Sequence, residues 1–332
     1  MGLPERDFVK IICAAGTEDT KIVHNIALVY TLAGADCIDM ALNPEVVSSA
    51  QSGVEKALAI AKKWGLERSA PILCVSLGME GDQHVRKARV TDIGRAMSEV
   101  DKKRLVASCP TRAIINDSQG VRVVENLCIG SGRCALIKSG AIEFYNIKRD
   151  LADILPKCKA AGASMFELHA NEGPDDEVLA KWTLMNKVLA DGYLSMCIGR
   201  SFKSNKEIVE RIQKIQAISR ERTLIQADGN PMTGDSDTIN CTLQAVAMGD
   251  IVRKMKNPPL VILSGGTNSK TVELARHAGV LINGVSFGSY ARKLVYNYIV
   301  MDGLESKEAE LQNAVQTATA FVDKIRSELR GN

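Results

Sequence analysis

Eight short apolar runs, four to seven residues long and mostly rich in aliphatic side chains, recur along the chain with helix-length amphipathic stretches between most of them. They fall at 8–14, 37–41, 71–77, 164–170, 193–198, 223–227, 260–263 and 284–287. Runs of this length alternating with helical periodicity predict βα units around a parallel sheet. Eight of them predict a closed (β/α)8 TIM barrel. Several predicted helices stop on small residues just before the next run, at AGA 33–35, AGA 161–163 and AG 278–279. Glycine there supplies the left-handed cap that turns the chain back into the sheet. The rival arrangement, an open doubly wound sheet, is favoured by Gly-x-Gly-x-x-Gly opening the first helix. CAAGTE at 13–18 lacks that spacing.

One stretch breaks the alternation. About sixty residues, from roughly 82 to 146, follow the third run, where a βα loop ordinarily takes about 2–6. The pattern therefore predicts an insert at 83–146 in the third βα loop, with the barrel built from 1–82 and 147–332. Within it CPTRAII (109–115) and KSGAIEF (138–144) are related, with GVRVV (120–124) and CIGSGRC (128–134) between them, like the internal repeat of a two-cluster ferredoxin. A bacterial ferredoxin run is Cys-x2-Cys-x2-Cys-x3-Cys-Pro, its fourth cysteine reaching the other cluster. That spacing assigns one cluster to Cys109, Cys128, Ser131 and Cys134. The other falls on Glu99, Lys102, Leu105 and Lys138, which cannot hold it. Cys109, Cys128 and Cys134 are thus a residual metal site for one 4Fe–4S cluster, or relics in a packed module, with three-cysteine zinc as a further alternative.

Composition narrows the function. A formal charge of +3 and only 4% aromatic residues give neither a basic face nor stacking side chains for nucleic acid. No run approaches the ~20 apolar residues of a membrane span, and the N-terminus lacks a signal-peptide pattern. A soluble, cytoplasmic protein is expected, or a stromal one in a plastid-bearing host. Nine cysteines are too sparse for a disulfide scaffold. Cys13, Cys37, Cys74, Cys197 and Cys241 sit in apolar patterns and are expected to be small buried hydrophobes.

In a barrel of this type the chemistry lies at the C-terminal strand ends. Ser264, Gly265, Gly266 and Asn268 follow the seventh run, and Gly288, Ser289 and Arg292 the eighth, paired glycines and hydroxyls suited to a phosphate or other anion. Tight turns that merely need glycine are the alternative. Candidate catalytic groups are Asp39, Glu167, His169, Arg200 and Asp228. Period-two geometry puts Glu167 and His169 on one face, read as the lumen, where they could be an acid/base pair, half a metal site or a mutually satisfied buried pair. No lysine directly follows a run, which disfavours Schiff-base chemistry.

The stretches 25–39 (NIALVYTLAGADCID), 228–235 (DGNPMTGD), 264–268 (SGGTN) and 288–293 (GSYARK) resemble the cyanobacterial and plastid-lineage LdpA (light-dependent period) family over nearly the whole chain. That resemblance implies an iron–sulfur protein reporting redox state to the circadian clock, with paired clusters. Five of the eight ligand positions depart from it here. The resulting expectation is an LdpA-like barrel that binds a small phosphate-bearing or anionic ligand at its mouth and uses Glu167 and His169 as acid/base. A redox-sensing regulatory protein with one or no cluster is the alternative, and an FMN-binding oxidoreductase a second. Whether the chain is an enzyme, and whether it has protein partners or self-associates, stays open at this stage.

Overall fold

The computed structural model describes residues 7–14, 16–171, 173–200, 203–230 and 236–331. The eight runs become the strands β1 (Phe8–Ile12), β2 (Cys37–Ala41) and β3 (Ile72–Gly78), then, beyond the four insert strands, β8 (Met165–His169), β9 (Tyr193–Ile198), β10 (Thr223–Asp228), β11 (Leu260–Ser264) and β12 (Gly284–Phe287). They close in the order β1-β12-β11-β10-β9-β8-β3-β2, every pair parallel. The predicted barrel is therefore present. Outward-facing residues such as Val9, Ile11, Ile38, Val75, Phe166, Met196 and Val261 are buried against the surrounding helices in one large apolar cluster. Gly34 ends the helix Thr20–Leu32 at φ +86°, the left-handed turn the sequence predicts.

The lumen is layered, and the layers follow the period of two. At the N-terminal end Phe8, Cys37, Cys74, Met165, Leu224 and Ile262 pack as an apolar plug. Two residues further along the same six strands stand Lys10, Asp39, Ser76, Glu167, Gln226 and Ser264, all buried. Lys10 Nζ lies 2.6 Å from Glu167 Oε2 and 3.2 Å from Asp39 Oδ2. Ser195 donates to Glu167 Oε2 at 2.6 Å, Gln226 Nε2 to Oε1 at 2.9 Å, and Ser76 to Asp39 at 2.6 Å. Burial opposes the Lys10 charge, yet Asp39 and then Glu167, with buried thiols beside them, outweigh it and hold the ammonium well above its ordinary range. A protonated amine is no nucleophile, so the lysine that the lumen does contain does not revive a Schiff-base reading.

The insert follows β3. Its strands β4 (Arg86–Val90) and β7 (Ile142–Asn146) pair antiparallel, as do β5 (Ile114–Asp117) and β6 (Gly120–Val123) between them. Outer strands pair with outer and inner with inner, the layout expected of two related halves. The helix Glu99–Ala107 joins β4 to β5 and starts at Ser98, whose hydroxyl accepts the Asp101 N–H. Its apolar core is separate from that of the barrel. Two hydrogen bonds among those at this seam tie the two together: Lys87 Nζ donates to the carbonyl of Gly16 at 2.6 Å, and Glu18 N–H to the carbonyl of Asn126 at 2.8 Å. Within the insert the same Lys87 Nζ also donates to the carbonyls of Cys128 at 2.8 Å and Glu125 at 3.0 Å. Of the cysteines expected in the interior, Cys13, Cys37, Cys74 and Cys197 are buried. Cys241 is only half-buried, because it sits in the first turn of its helix beside Thr238. Among the described residues no helix is long and apolar enough to cross a membrane.

Replacing Lys10 by methionine keeps the volume but leaves two carboxylates facing each other in a water-poor lumen. Chemical denaturation is expected to show a loss of about 3–5 kcal/mol, partly recovered when Glu167→Gln is added. A loss within about 0.5 kcal/mol would contradict the network.

Candidate functional site

One more step of two along the strands brings the lumen to its mouth. His169 and Asp228 end β8 and β10 there, and a cavity of about 290 Å³ opens above them. Its floor includes Ile12, Asp39 and Gln226. One wall is Ser264, Gly265, Gly266, Thr267, Gly288, Ser289 and Arg292 from the ends of β11 and β12. The opposite wall comes from the chain entering the insert, Gly81, Asp82, Gln83, His84 and Arg86, with Ile129 from the cysteine turn. The third βα loop thus completes the cavity it overhangs.

Local hydrogen bonds fix each wall. Asp82 Oδ1 accepts the backbone N–H of His84 at 2.8 Å and lies 2.6 Å from His84 Nδ1. The imidazole of His84 packs against that of His169, centroids 3.7 Å apart and planes tilted by 42°. His169 Nε2 lies 3.3 Å from Glu167 Oε1, and its Nδ1 lies 4.0 Å from Asp82 Oδ2. Burial disfavours a charged His169, but Cys197, Glu167 and Asp82 face it and hold its pKa well above the usual imidazole range. Burial likewise opposes ionised Asp82 and Glu167. For Asp82 the two histidines, and for Glu167 the Lys10 and His169 charges, reverse the sign and keep both carboxyls below the usual range. Asp228 goes the other way: burial pushes its carboxyl up, and the His169 charge and the Asn171 amide, 2.9 Å away, only partly offset that. The Asn171 side-chain oxygen accepts from Gly199 N. Gln226 Oε1 is buried with no hydrogen-bond partner among the described residues.

The glycine wall is built from backbone. Gly265 and Gly266 both hold positive φ, +68° and +81°. A Cβ on Gly265 would stand 2.2 Å from Asp228 Oδ1 and 2.6 Å from Gly229 N, so the turn and the carboxylate are fitted to each other. Arg292 donates to the carbonyl of Ile12 at 2.9 Å. It is paired with no carboxylate among the described residues, and burial lowers its pKa to about 10.

The structure sorts the predicted residues. Asp39, His169, Asp228, Ser264, Gly265, Gly266, Gly288, Ser289 and Arg292 meet at the cavity. Glu167 does not reach it: both its oxygens are committed to Lys10, Ser195 and Gln226, beneath His169, so it positions its neighbour rather than exchanging protons with a ligand. Asn268 is a clamp. Its amide donates to the carbonyls of Ser236 and Thr238 and accepts from Lys270 N, leaving nothing for an anion. Arg200 is exposed and off the cavity wall, since it lies past the end of β9 in a turn that faces solvent. The stretch 231–235 of the DGNPMTGD motif lies outside the described residues. Lys10, Ser76, Ser195, Gln226, Asp82 and His84 escaped the sequence reading. A lone lysine inside FVKII was the signal for the first, and the two-residue step from Asp39 and Glu167 would have found its layer.

In the insert, Cys109, Cys128, Ser131 and Cys134 line one void of about 10 Å³. Cys109 Sγ accepts the Ala113 N–H at 3.2 Å. Burial, with Cys109 and Cys128 adjacent, pushes the Cys134 thiol up to about 11. Among the described residues these three sulfurs do not form a group whose ligand atoms all lie within 4.8 Å of one another. Tetrahedral zinc with Zn–S near 2.3 Å needs sulfurs about 3.8 Å apart, so the zinc alternative does not fit. The second set is gone: Leu105 is fully buried in the apolar core, Glu99 and Lys102 pair with each other at 2.9 Å, and Lys138 is exposed.

Fold and site together define a parallel eight-stranded barrel with a polar lumen and a mouth roofed by an insert. Sequence comparison places it further. The family model described as the light dependent period A C-terminal domain matches residues 158–326. A relative from Synechococcus elongatus, named Light dependent period A, is 31% identical over 338 residues, covering 97% of this chain and 92% of its own. The chain belongs to the light dependent period A family. Among solved structures, the YdjI aldolase of Escherichia coli K12 superposes with a TM-score of 0.49 at 8% identity, over 98% of this chain and 93% of that one. The fructose-bisphosphate aldolase of Campylobacter jejuni gives 0.48 at 10%, over 97% and 89%. Neither adds to what the strand pairing already shows.

Gly265→Ala combines a strained φ with a clash against Asp228 and is expected to cost about 1–3 kcal/mol. The check is thermal and chemical denaturation beside Gly279→Ala, which has the same φ of +68° but nothing within 4 Å of an added Cβ. An equal loss in both would leave only backbone strain and remove the fitted contact.

Proposed function

We propose that the barrel mouth binds a small anionic molecule, phosphate-bearing or carboxylated, and acts on it as an enzyme. The observation that carries this is Arg292, a half-buried guanidinium on a cavity wall with no carboxylate beside it among the described residues. Drawing such a cation partly out of water is costly unless an anion completes it. The backbone of Gly265 and Gly266 flanks it, and Gln226 Oε1 waits for a donor on the floor. Asp228, its carboxyl raised by burial, is placed to give or take a proton across the cavity. His169, steadied by Glu167, faces the same ligand. A cavity of about 290 Å³ is at the low end of small-molecule sites, roughly 300–1,000 Å³, which favours a small metabolite over FMN. Colourless purified protein would agree; yellow protein would reverse that preference.

A second reading is favoured by the one void that the three cysteines and Ser131 share. Its donor set fits a single iron–sulfur cluster, which would supply one-electron chemistry, and we read residues 83–146 as the module that carries it. Ile129 lines both this void and the barrel cavity, so a change at Cys128 is felt at the mouth. A cluster would have to spread the turns around a void that is now water-sized. Anaerobically purified protein should be brown, with about four irons per chain, and Cys134→Ala should bleach it. Substoichiometric iron in that preparation sinks this reading.

Titration calorimetry with inorganic phosphate, pyrophosphate and small phosphomonoesters or dicarboxylates tests the first reading. Saturable binding is expected, weakened about 10-fold or more in Arg292→Met, as loss of a charge-assisted hydrogen bond of about 1.5–3 kcal/mol implies. Equal affinity in wild type and Arg292→Met would refute it.

A further inference from the structure

We propose that Asp82, His84 and His169 hold a first-row divalent cation at the barrel mouth, with one coordination position open to the cavity. One atom from each, a carboxylate oxygen and two imidazole nitrogens, lies within 4.8 Å of the others. The observed separations of 2.6 Å for His84 Nδ1 to Asp82 Oδ1 and 4.0 Å for His169 Nδ1 to Asp82 Oδ2 bracket the roughly 3.4 Å between ligands about 2.0–2.1 Å from tetrahedral zinc. Each of these two pairs needs to move by less than about 1 Å, and the two imidazoles, within 4.8 Å of each other, by about 1.5 Å at most.

The surroundings match a site of this kind. His169 directs Nε2 at Glu167, 3.3 Å away. With the cation displacing the Nδ1 proton, that contact would keep the remaining proton on Nε2 and leave Nδ1 as the ligand atom, the carboxylate–histidine–metal arrangement of many protein sites. Glu167 is itself locked by Lys10, Ser195 and Gln226. Asp82 and His84 share a tight turn in which the Asp82 carbonyl accepts from Val85 N and Arg86 N, so their side chains arrive together. Gly78 gives that carboxylate its place, since a Cβ there would stand 2.5 Å from Asp82 Oδ1. The three side chains are 5–17% exposed, on the cavity side. Two imidazoles and one carboxylate suit zinc, cobalt, iron or manganese over magnesium and calcium. An open fourth position is the mark of a catalytic rather than a structural metal. His169 then serves as a ligand, and the proton-transfer role in the mouth rests on Asp228.

Nothing in the anion reading requires this cation, and the test uses no anion. Metal-stripped full-length protein is titrated with Co2+ alone, then with Zn2+ in competition. Expected is one equivalent of Co2+ giving visible d–d bands without a near-ultraviolet thiolate band, the spectrum unchanged by Cys128→Ser. His84→Gln and Asp82→Asn should each weaken binding by more than the about 10–100-fold that loss of an outer partner brings. Gly78→Ala, which keeps every ligand, should weaken it as well. Circular dichroism confirms that the variants fold. Three results would overturn the proposal: no binding tighter than about 1 mM, full affinity in His84→Gln and Asp82→Asn, or a thiolate band that Cys128→Ser abolishes.

Discussion

The lumen of this barrel is organised by one buried cation. An ammonium group in a water-poor interior costs several kcal/mol of desolvation, and only well-placed carboxylates and hydrogen bonds offset it. Lys10 therefore dictates its layer: Asp39 and Glu167 neutralise it, Ser76 and Gln226 occupy the carboxylate oxygens it leaves over, and Ser195 shares Glu167 Oε2 with it. Most barrels fill this level with branched aliphatics. Here the apolar plug stops one layer lower, and the mouth inherits its electrostatics from the layer beneath. Glu167 orients His169, while burial raises the carboxyl of Asp228 by more than His169 and Asn171 lower it.

The insert completes the site as much as it interrupts the barrel. Lys87 gathers three carbonyls, one from the loop after β1 and two from the segment leading into the cysteine turn, and Arg86 holds the Gly130 carbonyl. These bonds hold Asp82 and His84 over the strand ends and set Ile129 between the mouth and the cysteine void. Loops over a barrel mouth are commonly its least constrained part. This one is fastened by a buried lysine whose partners span both bodies, so the two halves of the cavity wall keep their spacing.

The barrel was legible because its signal is repetitive. Eight apolar runs with a period of two need only be counted, and each lands within two residues of a strand. The site was legible only where a residue type is unusual for its position. Glu167 and His169 stand out in an apolar run, and so does Lys10, but a strand-end scan passes over a residue two positions short of the end. Asp82 and His84 were invisible for another reason: their meeting with His169 depends on how a sixty-residue detour begins, which no local pattern encodes. Asn268 and Arg200 failed for the converse reason. A polar residue after a strand has two destinations, the cavity or the loop's own backbone and solvent, and sequence spacing does not separate them. Asn268 went to the loop's own carbonyls, Arg200 to solvent.

The same physics bears on what the insert still needs. A module of this size seldom has enough core to stand alone and ordinarily uses a metal or disulfides as a staple. In this chain Leu105, which the ferredoxin spacing would place at a ligand position, is wholly buried in one apolar core with Val90, Met97, Ile114 and Val121. Contact with the barrel adds the Lys87 bond to the Gly16 carbonyl and the Glu18 N–H bond to the Asn126 carbonyl. The cysteines belong to that core as well, with Cys128 and Cys134 inside it and Cys109 packed against it. Ile129, next to Cys128 in the chain, lines the barrel mouth as well, so the cysteine void and the cavity share a wall.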